Sequence, residues 1–444
     1  MPISQPEPCD LLLLPKWIVP VRPVAQVLSQ HFIAVSAGRI VAIAPRSELH
    51  NYRAAETVEL AEHVVLPGLI NAHGHVAMSL LRGFADDLAL QDWLAQHIWP
   101  VEFKHVNADF VQDGALLGIA EMILSGTTCF SDMYYFPEVT ARACRDVGIR
   151  AQIATPIFDA PSAWGTGIDD YIKRGLALID DNRHSDLISV VFGPHSVYAV
   201  SKASLQRVAT LAAELDIGIQ IHLHENQAEL IQCQSAEQCR PIELLETLGL
   251  LSSKTQCVHM TTLNDADIAR LKRTGASVIH CPLSNLKLAS GLSPIARLHR
   301  EGISIGLGSD GAASNNNLNL FLEMRQAALL AKLSSNDASA LLAADILTMA
   351  TLGGAQALGL DEHIGSLEVG KAADIIAVDL SAPSCQPVHN PLSQLVYACT
   401  GKEVSHSWVA GRCLLKDGQL QTLNLSSTLV AANTWRARLS PHSE

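Results

Sequence analysis

The stretch Val64-Val65-Leu66-Pro67-Gly68-Leu69-Ile70-Asn71-Ala72-His73-Gly74-His75 decides how the rest of the chain reads. An apolar run passes through Pro67 and Gly68 directly into two histidines separated by one glycine. Residues i and i+2 of an extended strand share a face, so His73 and His75 converge on one point. Gly74 leaves the backbone between them uncrowded. Two imidazoles aimed together at the end of a buried strand make half of a metal site. The plain alternative is a chance pair in a loop, since the chain has 18 histidines. Other strands must supply the missing ligands if the metal reading is right.

Working outward, residues 10–65 read as short strands with turn signals: Trp17-Ile18-Val19-Pro20, His31-Phe32-Ile33-Ala34-Val35 and Arg39-Ile40-Val41-Ala42-Ile43. The turn Ser36-Ala37-Gly38-Arg39 joins two of them as a hairpin. Residues 365–424 repeat this texture, with the strand Ile375-Ile376-Ala377-Val378 and a hairpin beginning at Ser407-Trp408-Val409. Two β-rich ends flanking a long middle predict one small β-sandwich composed of N- and C-terminal segments, residues 1–65 and 365–444.

The middle, residues 66–364, alternates short β-branched runs with segments of helical periodicity. Eight strand candidates end near His73, Asp132, Ala154, His195, His224, His259, His280 and Asp310. Helical partners fall at 108–124, 138–147, 202–215, 262–274 and 317–333. Eight such units over about 300 residues predict an α/β fold, a (β/α)8 TIM barrel, in preference to a doubly wound sheet. In strand after strand the His or Asp stands at the C-terminal end, where barrels of this kind carry their active sites.

Composition limits the function. At 444 residues the chain exceeds one small core, and 48% hydrophobic against 17% charged residues excludes a disordered chain. A net charge of −13 argues against a nucleic-acid partner. The ten cysteines are scattered without a C-x-x-C, so neither a thiolate zinc site nor a disulfide framework is expected. The run Leu11–Leu14 is too short for a signal peptide or a membrane span. A soluble cytoplasmic enzyme with a small-molecule substrate fits these limits.

Five strand-end positions stand out: His73, His75, His222, His259 and Asp310. Imidazoles with a carboxylate suit zinc or ferrous iron, with one coordination position left open for catalysis. Glu225, three residues past His222, can reach over the metal as a proton shuttle. His222 and His224 turn to the same strand face, so spacing admits either as ligand.

The motifs Pro67–His75, His222-Leu223-His224-Glu225, Val258-His259, Ser284-Asn285-Leu286-Lys287-Leu288 and Gly308-Ser309-Asp310-Gly311-Ala312-Ala313-Ser314-Asn315 together resemble the amidohydrolase superfamily. The resemblance spans essentially the whole chain and lies in the aminohydrolase branch that holds nucleoside, guanine and cytosine deaminases and triazine hydrolases. It implies metal ligands His73, His75, His222 and Asp310, choosing His222 over His224. It also implies Glu225 as general acid/base and His259 and Asp310 beside the attacking water. Binuclear relatives carry a carboxylated lysine at the end of the fourth strand; here Gly193-Pro194-His195 stands there, which implies one divalent ion, zinc before iron.

Within that branch the chain resembles most the group that deaminates 5′-methylthioadenosine and S-adenosylhomocysteine. Trp99-Pro100-Val101-Glu102 and Gly193-Pro194-His195-Ser196 match the group's pattern, which implies Glu102 on ribose hydroxyls and His195 on the nucleoside. One departure is the segment Ala154-Thr155-Pro156-Ile157-Phe158-Asp159. Group members that handle a homocysteine carboxylate carry arginines there, and this chain has none between Arg150 and Arg174. The resemblance therefore favours methylthioadenosine, with S-adenosylhomocysteine or adenosine next and guanine, cytosine, a pterin or a triazine as the rival substrates. A non-catalytic barrel is disfavoured because every expected position is filled. Relatives also imply a homo-oligomer, dimer or tetramer.

Other residues have plainer readings. His280 either lines the pocket or satisfies a local hydrogen bond. Asn285 and Lys287 hold a loop or nearby carboxylates, and Gly311 and Asn315 shape the turn after Asp310. Trp93 and Trp99 are read as packing residues. A lid over the site is expected between 82 and 102, with Arg82 and Asp86 as candidate members.

Overall fold

The computed structural model describes residues 6–88 and 92–439. Eight parallel strands follow one another in chain order: Leu69–Gly74, Thr127–Asp132, Arg150–Ile157, Ile188–Pro194, Ile219–Leu223, Thr255–His259, Ser277–His280 and Ile305–Leu307. The ring is drawn together between last and first, where Asp310 N donates to His73 O at 3.1 Å. This is the (β/α)8 barrel that the alternation predicts. The strands read as near-continuous apolar runs because helices cover their outer faces.

The helices expected at 108–124 and 202–215 form over Ala108–Leu124 and Lys202–Leu215. Asn107 and Ser201 cap them, accepting from Phe110 N and Ser204 N. Ile168–Asn182 and Gln227–Glu237 are helices that the sequence reading did not anticipate. The first opens at Gly167 without a side-chain cap, which removes its start signal.

The two chain ends meet in one mixed sheet. Tyr52–Pro67 is its hinge: it pairs parallel with Glu7–Ile18 on one side and antiparallel with Ile375–Asp379 on the other. Leu13, Ile33, Val65, Ile375 and Trp408 fill a buried core on this sheet. Each such side chain contributes about 1.5–3 kcal/mol by leaving water. At Gly68 the chain passes into the barrel, and a Cβ there would overlap the Thr128 side chain at 1.9 Å. Sheet and barrel are also tied by charge. The guanidinium of Arg150, at the start of the third barrel strand, grips both carboxylate oxygens of Asp374 at 2.8 and 3.1 Å. Both residues are buried.

The C-terminal helix Leu425–Leu439 leaves the sheet and lies on the barrel helix Ala108–Leu124. Trp435 packs edge-on against Phe110 at 5.2 Å and donates from Nε1 to Asp113 at 2.8 Å. No described helix is long and apolar enough to cross a membrane.

Candidate active site

The histidines of the opening motif lie at the C-terminal mouth of the barrel. His73, His75 and His222 bring ligand atoms within 4.8 Å of one another. Each ring is fixed by an acceptor on Nδ1. For His73 it is the Gln220 side-chain oxygen at 2.8 Å, for His75 the Met133 carbonyl at 2.6 Å, and for His222 the His195 carbonyl at 2.8 Å. An Nδ1 facing an acceptor carries the hydrogen, which in the neutral ring leaves Nε2 as a lone pair. The Nε2 atoms of His73 and His222 are 3.1 Å apart.

Asp310 supplies the anionic donor. Ser284 and Ser314 hydroxyls hold its Oδ2 at 2.6 and 2.8 Å. Its Oδ1 lies 3.2 Å from His75 Nε2 and 3.7 Å from His73 Nε2. Three imidazole lone pairs and one carboxylate oxygen aimed at a common point are a donor set for a single divalent ion. Electrostatics agrees. Burial works against charge on His75, yet the hydrogen bond and charge of Asp310 hold it up at about 9, so the point between them favours a cation. Burial, with repulsion from neighbouring rings, keeps His222 well below its ordinary value.

His259 and Glu225 complete the mouth. His259 Nδ1 is paired with Asn285 Oδ1 at 2.9 Å, which leaves Nε2 free to accept. Burial lowers its pKa. Burial, then the charge of Asp310, raises Glu225 to about 7. His259 and Asp310 sit at φ 77° and 61°, a left-handed backbone that costs about 1–3 kcal/mol for such residues and concentrates at functional sites.

These groups open into a cavity of about 630 Å³. Its wall includes Glu102, His195, Tyr134, Tyr135, Phe158 and Trp99. Tyr134 donates to Glu102 Oε1 at 2.6 Å, and burial above all raises the Glu102 carboxyl to about 7. His195 lies against Phe158 at 5.0 Å, and burial drops its pKa to about 3, which keeps the ring neutral. Among the described lining residues there is no lysine or arginine.

The profile of the amidohydrolase family matches residues 64–414. The chain belongs to the amidohydrolase family. Among solved structures it is similar to an adenosine deaminase from Xanthomonas campestris with bound zinc. That structure is 45% identical, with a TM-score of 0.97 over 98% of this chain and 99% of the other. A Teredinibacter turnerae protein named 5-methylthioadenosine/S-adenosylhomocysteine deaminase is 48% identical over 97% of this chain and 98% of its own. One of the same name from Saccharophagus degradans is 46% identical, with 97% of each chain covered. Atrazine chlorohydrolase from Arthrobacter aurescens shares the fold at a TM-score of 0.90 and 23% identity, over 96% of this chain and 99% of that one. This amidohydrolase is thus a metal-dependent hydrolase acting on C–N bonds.

In this amidohydrolase His75, Glu102, His195, His222, Glu225, His259 and Asp310 line one cavity, and His73 is buried against His75 and His222. His224 lies apart from the metal cluster: its Nε2 accepts from Ile242 N at 3.2 Å and its carbonyl from Thr261 N. His280 neither lines the cavity nor finds a partner for either ring nitrogen among the described residues. Trp93 is buried and packs as expected while also lining the cavity; Trp99 lines the cavity but is 46% exposed, so it is not the packing residue the sequence reading expects. In the expected lid, Arg82 binds Glu121, while Asp86 accepts from Lys287 at 2.7 Å and Asn316 at 2.9 Å. Residues 89–91 of that lid lie outside the described residues. Lys287 therefore holds a carboxylate as expected, and Asn285 does more than hold a loop, because it orients His259.

The residues missed are those that orient the ligands. Gln220 was accessible, since it precedes His222 by two on the same strand face. Tyr134 stands two residues past the strand-end Asp132, a weaker signal. The Met133 and His195 carbonyls have no signal in side-chain chemistry.

Proposed function

We propose that this amidohydrolase removes the 6-amino group of an adenine nucleoside, 5′-methylthioadenosine before S-adenosylhomocysteine or adenosine, releasing ammonia and the inosine derivative. The observation that carries the reading is the union, at one cavity, of the His73, His75 and His222 cluster with Asp310 beside it, a carboxyl near 7 and a second buried carboxylate beyond it. Zinc is the ion of choice, as in the Xanthomonas campestris structure, with ferrous iron suited to the same donors. His73, His75, His222 and Asp310 would hold it. When bound, the ion supplies Lewis acidity that lowers the pKa of a water to about 7.

The chain's own groups do the rest. Glu225, protonated in part at neutral pH, delivers a proton to N1 of the adenine as water adds to C6. His259 Nε2 and Asp310 accept and orient the protons of that water. Glu225, now a carboxylate, takes the proton of the new C6 hydroxyl and passes it to the departing amine as the C6–N bond breaks, so that ammonia leaves and the C6 oxygen remains as a carbonyl; the water proton held at His259 or Asp310 then returns to Glu225. Glu102 accepts from the ribose hydroxyls, and neutral His195 contacts the nucleoside. The aromatic wall of Tyr135, Phe158 and Trp99 excludes water and suits an uncharged thioether. A homocysteine carboxylate would be desolvated there without a cationic partner.

The same reading takes the enzyme to be a cytoplasmic homo-oligomer, dimer or tetramer, which light scattering tests. Ammonia release from a panel of methylthioadenosine, S-adenosylhomocysteine, adenosine, guanine and cytosine tests the reaction. Turnover confined to the free bases would overturn the nucleoside assignment.

A further inference from the structure

The end of the second barrel strand addresses three parts of the site in three successive residues. Asp132 Oδ1 accepts from Val76 N at 2.7 Å, which sets the backbone just past His75. The Met133 carbonyl holds His75 Nδ1. Tyr134 then lines the cavity and donates its hydroxyl to Glu102 Oε1 at 2.6 Å. Glu102 belongs to the short helix Trp99–His105, outside the barrel wall. That helix is loosely covered: Phe103 is 80% exposed and Trp99 46%. Glu102 and Tyr134 are themselves buried, at 7% and 5% exposure. The bond is thus a buried polar link from the barrel to a helix with little other cover.

We propose that Tyr134 is the positioning residue for sugar recognition. Its hydroxyl pins one oxygen of Glu102 and turns the other toward the ribose hydroxyls. This rests on the reading that Glu102 binds ribose, and it assigns a separate residue and a separate effect. A phenol is a donor toward a carboxylate, so it occupies Oε1 and leaves Oε2 as the acceptor of a residue that lines the cavity. Burial and the nearby Glu102 charge raise the Tyr134 phenol well above its ordinary value, so it remains a donor throughout the working range. Without the hydroxyl, Glu102 keeps its chemistry but loses its fixed direction. Tyr134 stands clear of the groups that move protons at C6 and N1, so its removal weakens sugar binding and spares the chemical step.

The test is a cycle of Tyr134→Phe, Glu102→Gln and the double variant in the zinc-loaded full chain. Two substrates are compared: 5′-methylthioadenosine and its 2′,3′-dideoxy analogue, which lacks the hydroxyls. Tyr134→Phe is expected to raise KM for methylthioadenosine about tenfold, with kcat changed less than about threefold and KM for the dideoxy analogue unchanged. The double variant is expected to be no worse than Glu102→Gln alone. Equal KM increases on both substrates, a loss in kcat alone, or additive losses in the double variant would overturn the role of Tyr134. If Glu102→Gln itself fails to separate the two substrates, the ribose assignment falls and the positioning role falls with it. If Glu102→Gln separates them and Tyr134→Phe does not, only the positioning role falls. Thermal unfolding of Tyr134→Phe within about 3 °C of the parent keeps the comparison on folded protein.

Discussion

The side-chain oxygen of Gln220 lies 2.8 Å from Nδ1 of His73, and this contact decides which ring nitrogen faces the metal site. The Gln220 amide nitrogen is committed elsewhere, to Ala72 O, Ser131 Oγ and Gln256 Oε1 at 3.1, 3.0 and 2.6 Å, so the amide cannot turn over. Gln256 in turn donates to Gln152 at 2.7 Å, and Gln152 to Leu358 O at 2.9 Å. A buried chain of amides beneath the mouth therefore points His73 Nε2 at His222.

Gln220→Leu should remove that orientation and leave the ligand in place. Partners that orient metal-bound histidines are typically worth 10–100-fold in affinity. Zinc retained after dialysis against graded chelator should show a loss of about that size. An unchanged chelation curve would mean that His73 needs no such support.

Glu225→Gln should retain metal and lose turnover by about 10²–10⁴, the usual worth of a positioned proton donor. The pH dependence follows from the same group. Burial and Asp310 raise Glu225 to about 7, and it must be protonated to serve N1. Catalysis that depends on it should therefore decline with one proton's slope above about pH 7. A kcat/KM profile that stays flat to pH 9 would contradict the role.

His222 and His224 are separated by one residue and should respond oppositely. His222→Ala should abolish stoichiometric metal, because its Nε2 faces His73. His224→Ala should keep the metal and lower stability by about 1–3 kcal/mol, since the buried Ile242 N loses its acceptor. Metal analysis beside thermal melts of the two variants separates the roles, and metal loss in both would contradict them.

Much of this site was legible in the sequence because strand periodicity and chemistry point the same way. His73 and His75 are two apart on a strand, and His222, His259 and Asp310 follow apolar runs that can only be buried strands. Orientation was the part that stayed hidden. Two of the three Nδ1 partners are backbone carbonyls, of Met133 and His195, and a backbone group has no letter. The choice of His222 over His224 turns on backbone geometry: His224 adopts φ 54°, which breaks the strand alternation that made the two equivalent. The C-terminal helix Leu425–Leu439 escaped notice because its apolar residues do not form one face; Val430 is 68% exposed.

Asp374 ties the two parts of the molecule. Asp374→Ala would leave the Arg150 guanidinium buried without its carboxylate, and Ala410 N without its acceptor. Removing one partner of a buried pair costs about 3–5 kcal/mol. Denaturant unfolding should show a loss of that size. A loss below about 1 kcal/mol would mean that sheet and barrel hold together without this pair.

On the proposed reading, one divalent ion held by His73, His75, His222 and Asp310 makes this chain a nucleoside deaminase. Ammonia release from 5′-methylthioadenosine, measured while zinc is titrated into chelator-stripped protein, tests it most directly. Turnover should be absent at the start, rise linearly to one equivalent of zinc per chain, and level off beyond it. Turnover in the stripped protein, a break at two equivalents, or no ammonia at any zinc level would contradict it.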